Sequence, residues 1–229
     1  MCIRDRLIEA GAPRRPAETV IHTRDFTSTP RQRVIGWVMM AIAPLVTLSL
    51  TGTLWPGLAE QLGFSDRLKG LGLFLLILPI PLGQMLWAKL RRHMARPWIM
   101  LSLLPIGAAA CVCLSQVQSF AAAVTCLMCV GLVHSCVAFC GIYYANADPL
   151  TPGRSIAINE TLAASAATVG PLVLGSLAWD DYRALPPYVF GGATLMVGFV
   201  IVLLIWLRRP RDAAGAPLKA SVPAAGHGH

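Results

Sequence analysis

The sequence predicts an all-α membrane protein built from six transmembrane helices. Three observations carry this. Six apolar stretches, at 34–55, 68–88, 97–115, 119–143, 155–178 and 187–207, are each about long enough to cross a hydrocarbon core of roughly 30 Å as helix. Nearly all the charge lies between them. The composition, 55% hydrophobic and only 13% charged with a mean hydropathy of +0.62, lies far from that of soluble domains. Lipid offers the backbone no hydrogen-bond partners, so spans of this length must be helices.

The net charge of +8 reports topology rather than a nucleic-acid partner. Of the nineteen Lys and Arg residues, sixteen fall in the N-terminal segment, the 89–96 loop, the 146–154 loop and the C-terminal tail. Only Arg67, Lys69 and Arg183 fall on the other side. The positive-inside rule makes the larger group cytoplasmic. The expected protein is therefore multi-pass, with both termini in the cytosol of a cell whose inner membrane it spans, in all expectation a bacterium.

Residues 1–33 are polar, lack the apolar core of a signal peptide, and are expected to be a cytoplasmic linker. Its opening, Met1 to Arg6, resembles a scar of sequence assembly and receives no functional weight; the true chain is expected to continue upstream of residue 7. The first span carries Pro44 and runs into Trp55-Pro56-Gly57-Leu58. Gly63 suits a helix C-terminus and Ser65 the N-cap of the next helix. Pro79 and Pro81 predict a bend in the second span. A short basic loop to Arg96 precedes the third span, which carries Pro105. The link from there to the fourth span is short and uncharged, an external hairpin. Residues 208–229 form a basic, disordered cytoplasmic tail; its His227 and His229 are expected to be solvated rather than metal-bound.

The pattern resembles the C-terminal six-helix half of a major facilitator superfamily transporter, helices seven to twelve. Trp55-Pro56-x-Leu58-x-x-x-Leu62-Gly63-x-Ser65 is similar to the family's exit from helix seven. Gly83 through Arg92 occupies the loop between helices eight and nine, where the family places Gly-x-Leu-x-Asp-Arg-x-Gly-Arg-Arg. Gly153-Arg154-Ser155 through Gly170-Pro171-x-x-x-Gly175 resembles the start and body of helix eleven. In the loop signature Gly83, Arg91 and Arg92 match, while Trp87 stands where an acid is usual and Leu90 where glycine is usual. The resemblance implies one half-bundle of a transporter, a missing N-terminal six-helix half as partner, and alternating access to a midplane site. It offers Gly83, Arg91, Arg92 and Arg154 as gate or loop residues, the loop serving either as a gate or only as a topological anchor. Gly170, Pro171 and Gly175 are helix-packing candidates.

Candidates for a substrate or ion pathway come from polar residues in apolar surroundings. Glu160 lies about five residues into the fifth span, where a carboxylate is costly unless it meets protein or water. At about 100° per residue it shares a face with Ala164, Ala167, Pro171 and Ala178, a small-residue face where helices are expected to approach closely and which is expected to point away from lipid. Two readings stay open: a substrate, proton or gate residue paired with Arg154 or a tyrosine, or an acid at a helix start favoured by the dipole. Asn159 flanks it. Tyr143 and Tyr144 end the fourth span on the same side, as pathway or interfacial aromatics. His134 lines a cavity or makes a packing hydrogen bond. Gln84, with Thr47, Ser49 and Thr51, completes the set.

The fourth span also holds Cys126, Cys129, Cys136 and Cys140. Fourteen residues of helix span about 21 Å, so these thiols cannot share one ion, and neither metal nor cofactor is expected. No phosphate-binding loop, nucleophile elbow or dinucleotide fingerprint is present, which argues against an enzyme. The expected function is secondary transport of a small solute. The rival is a complete six-helix scaffold or assembly subunit, with a half-size transporter working as a dimer between the two.

Overall fold

A computed structural model describes residues 27–94, 97–148, 150–178 and 181–208. Residues 1–26, which include Met1 to Arg6 and most of the expected 1–33 linker, and residues 209–229, with His227 and His229, lie outside them. The described residues form α-helices and one π-helical turn, without strands.

The first span runs from Pro30 to Gln61. Thr29 and Gln32 close a capping box at its start. The span comprises α1 (Pro30–Ser49), a π turn (Leu50–Leu54) and α2 (Trp55–Gln61). Pro56 has no N–H to offer the carbonyl one turn back, and the chain winds wide there, Trp55 N–H donating to Leu50 O. Gly63, with φ of 71°, ends α2. The N–H of Gly63 donates to Glu60 O and that of Phe64 to Ala59 O, the paired bonds of a Schellman end. Ser65 stands at the N-cap of α3 (Asp66–Ile77), as expected from the sequence, although its hydroxyl makes no capping bond.

The second span breaks at Leu78, between α3 and α4 (Pro79–Lys89). There two prolines remove ladder donors. The turn α5 (Arg91–Met94) leads to the third span, α6 (Trp98–Leu114). At 17 residues α6 is the shortest of the six, at the lower limit for crossing a bilayer. The fourth span, α7 (Phe120–Asn146), starts at a Ser119 cap whose hydroxyl accepts from Ala122 N–H. The fifth is α8 (Pro152–Leu177) and the sixth α9 (Leu185–Leu207). Five of the six are long and apolar enough to span a membrane, and α6 is the shorter apolar helix.

The packing follows a repeat. α1 rests on α8 as α7 rests on α4; α9 packs on α1 as α6 packs on α7; α1 meets α7, and α6 meets α9. The first three spans and the last three thus occupy equivalent places, and three spans per repeat makes the two run in opposite directions. α1 and α7 form the centre, where Met39, Leu50, Leu127, Val130 and Cys136 are buried. Small residues set the close approaches. A Cβ on Gly131 of α7 would stand 2.2 Å from Leu76 O, and one on Gly170 of α8 would stand 2.4 Å from Leu45 O.

Candidate functional site in the two flanking spans

The second and fifth spans are the least enclosed by the rest of the chain. On α8 the buried stripe is Ser155, Asn159, Ala166, Gly170 and Leu174. Glu160 and Ala164 are exposed, Ala167 and Pro171 partly so. The small-residue face expected around Glu160 is therefore not the packed one; the close approach to α1 is made by Gly170 and by Gly175, which lies against Thr53. Pro171 sits between them, at the edge of the contact. Exposed with Glu160 are Ala157, Thr161, Ser165 and Thr168. Each of these three hydroxyls donates to the carbonyl one turn back, which lowers the cost of a polar face in a membrane helix.

Glu160 has no ion-pair partner among the described residues. Arg154 lies six positions earlier, about 120° around the helix, so the expected Glu160–Arg154 pair does not form. Asn159, about 100° around the helix from Glu160, turns inward. It is 1% exposed, and neither amide atom has a partner among the described residues. A Cβ on Gly141 would meet its Oδ1 at 3.1 Å, so Asn159 is wedged where α1, α7 and α8 converge.

The other flank is a groove of about 580 Å³ between α4 and α7, lined by Pro81, Gln84, Met85, Ala88, Phe139, Ile142, Tyr143 and Asn146. Two sequence-selected residues, Gln84 and Tyr143, meet there. Tyr143 stacks on Phe139 with ring centroids 5.6 Å apart, one turn of helix away. Phe139 and Met85 were not singled out from the sequence, and Pro81 only as a source of the bend, because an apolar residue in an apolar span carries no signal of its own.

Several candidates turn inward instead. Tyr144 is fully buried, its hydroxyl donating to Met94 O at 2.7 Å; it anchors the α5 turn rather than facing a pathway. Gly83 lies under Ser135, with room for no Cβ. Trp87, where an acid is usual, donates its indole N–H to Ser135 Oγ at 3.1 Å, and Ser135 in turn donates to Ile80 O. This stretch of the loop signature is thereby built into the α4–α7 contact, with Arg91 and Arg92 exposed beyond it in α5. His134 is half-buried, and its Nδ1 lacks a partner among the described residues. Thr47 and Ser49 are buried, Ser49 donating to Leu45 O. Cys111, Cys136 and Cys140 are buried and Cys113 exposed, all as free thiols. No group of three His, Cys, Asp or Glu with metal-binding proximity occurs among the described residues.

Six bundled helices with apolar outer faces and polar flanks define an integral, multi-pass membrane protein that meets a lipid bilayer. The family model of the Major Facilitator Superfamily matches residues 35–226, and the chain belongs to that superfamily of membrane transporters. No curated protein and no solved structure matches it.

Proposed function

We propose that this chain is the C-terminal half of a secondary active transporter, moving a small solute by alternating access against an N-terminal six-helix half. The observation that carries the reading is the outward face of α8. Glu160, Thr161, Ser165 and Thr168 are exposed along a helix of membrane-spanning length. Polar and ionisable groups at such depth face protein or water rather than lipid. A second half laid against α8 and the α3–α4 span would cover both flanks and enclose a wet midplane cavity. The α4–α7 groove, with Gln84, Tyr143 and Asn146, supplies an apolar wall with three polar groups, the make-up of a small-molecule site.

In this reading Glu160 carries the coupling proton or contacts the solute, and Arg154, Arg91 and Arg92 hold the cytoplasmic ends, so that both termini are cytoplasmic. The test is Glu160→Gln in the protein containing both halves, reconstituted in vesicles. Solute flux is expected to lose its dependence on a pH gradient while solute exchange persists. Flux with wild-type pH dependence would remove Glu160 from the mechanism.

A further inference from the structure

A second polar site lies away from the α4–α7 groove, at the cytoplasmic end of the α1–α8 pair. It is a cleft of about 330 Å³ lined by Arg33, Trp37, Asp148, Thr151, Arg154, Ser155 and Ile158. Its residues come from α1, α8 and the loop before α8, and none of them lines the groove.

The local chemistry favours an anion. α8 begins with Pro152, which has no N–H, and Thr151 at its N-cap makes no capping bond. The Thr151 hydroxyl is engaged elsewhere, donating to Asp148 Oδ2 at 3.2 Å. The N–H groups of Gly153 and Arg154 are therefore left at the positive end of a 26-residue helix. Nothing lies within 4 Å of the place a Gly153 Cβ would take, so the approach is open. Independently, Ser155 is 1% exposed and its Oγ has no partner among the described residues; a buried hydroxyl normally finds one. Arg154 is exposed and makes no ion pair among the described residues.

Asp148, the only acid among the described residues lining the cleft, is neutralised. It pairs with Arg33 at 2.9 Å and accepts from Leu150 N–H at 3.1 Å. Arg154 is thus the uncompensated charge. Trp37, which donates to Ser155 O at 3.2 Å, and Ile158 give the cleft an apolar flank at the depth where aromatic side chains meet headgroups.

We propose that this cleft binds the phosphate of an anionic phospholipid in the cytoplasmic leaflet. Arg154 and the α8 N-terminus receive the phosphate oxygens, the Ser155 hydroxyl donates from the floor, and the acyl chains leave along Ile158. The same donors suit a free phosphate, but the membrane-interface depth and the apolar flank favour the lipid. The measurement is titration of the detergent-purified chain with short-chain phosphatidylglycerol, phosphatidylcholine and inorganic phosphate. Phosphatidylglycerol is expected to bind saturably. Arg154→Gln should weaken it about tenfold, since a charge-assisted phosphate contact is lost. Ser155→Ala should weaken it by about threefold, the loss of one neutral hydrogen bond. Arg154→Lys should retain most of the affinity, which separates charge from folding, and Arg92→Gln should leave binding unchanged. Equal binding by wild type and Arg154→Gln would overturn the site. Tighter binding of inorganic phosphate than of the lipid would overturn the lipid assignment. The readout needs no solute flux, so failure here leaves the transport reading standing, and the reverse.

Discussion

α8 and α9 are neighbours of similar length, both largely uncovered by the rest of the chain, yet their outer faces are made of different matter. On α9 the exposed side chains include Leu185, Val189, Phe190, Met196, Val197, Val200, Leu204, Trp206 and Leu207. On α8 the corresponding face mixes Glu160, Thr161, Ser165 and Thr168 with alanines and with Leu172, while Val169 stands at its edge. Exposure in an isolated bundle therefore has two meanings. The α9 face is finished as it stands, because lipid satisfies it. The α8 face is not, and its composition calls for protein or water.

The sharpest way to break this contrast is to place a charge at matched depth on each helix. Val197 and Ala164 both lie near the middle of their helices and both are exposed. Val197→Glu buries an acid in lipid and should cost on the order of 3 kcal/mol in insertion. Ala164→Glu, in the protein carrying both halves, should cost far less. Membrane-inserted yield of the two variants is the measurement. Equal losses would place the α8 face in lipid and remove the basis for a cavity there.

The contrast also holds between two faces of α8 itself. Gly170→Leu drives a side chain into Leu45 O and Ser49 Oγ, which lie 2.4 and 2.8 Å from the place a Cβ would take. Overpacking of that kind costs about 1–3 kcal/mol, and the midpoint of thermal unfolding in detergent should fall accordingly. Thr168→Leu, on the outward face, should leave it nearly unchanged. A silent Gly170→Leu would mean that α1 and α8 do not approach as closely as the backbone places them.

These distinctions mark how far the sequence was legible. Five of the six spans could be read to within three residues at each end, since apolar length is a property of the chain itself, while the first begins four residues earlier and runs six residues further, to Gln61. The prolines foretold the break at Leu78, though not the π turn ahead of Pro56, which depends on how the carbonyl one turn back is satisfied. Which face of α8 packs was misjudged. Glu160 shares an angular sector with several alanines, but contact was decided by Ser155, Asn159 and Gly170, through the shape of α1 and α7. The adjacent tyrosines show the same limit: nothing in Tyr143-Tyr144 distinguishes the groove-lining ring from the buried one. Only the position of Met94, fifty residues away, does so.

At the end of the bundle where α1 begins, the pairing of Arg33 with Asp148 ties α1 to the loop before α8. Burial pushes the Asp148 carboxyl upward, but the N–H groups of Leu150 and Thr151, the Thr151 hydroxyl and the Arg33 guanidinium together hold it below the ordinary carboxylate range. A depressed folded value means that the carboxylate stabilises the fold above the unfolded value of about 3.9, and that this contribution is lost as pH falls through the folded value. Asp148→Asn should lower the unfolding temperature near neutral pH, and the gap from wild type should close in strong acid. A gap independent of pH would show that charge is not what the residue contributes.

The smallest expected effect tests the inward and outward faces within α7. Tyr144 donates to the carbonyl of Met94, which closes the α5 turn and is itself buried. A carbonyl at a helix end has no intrahelical donor, so Tyr144→Phe leaves it dry and unpaired. The cost should be about 1 kcal/mol, the net worth of one hydrogen bond plus part of the desolvation it had offset. The turn at Arg91–Met94 should loosen first, visible as faster proteolysis next to Lys89 and Arg91 before any change in global unfolding. If cleavage there stays at the wild-type rate, the hydroxyl is not what holds the turn, and the ring's packing alone fixes this end of the bundle.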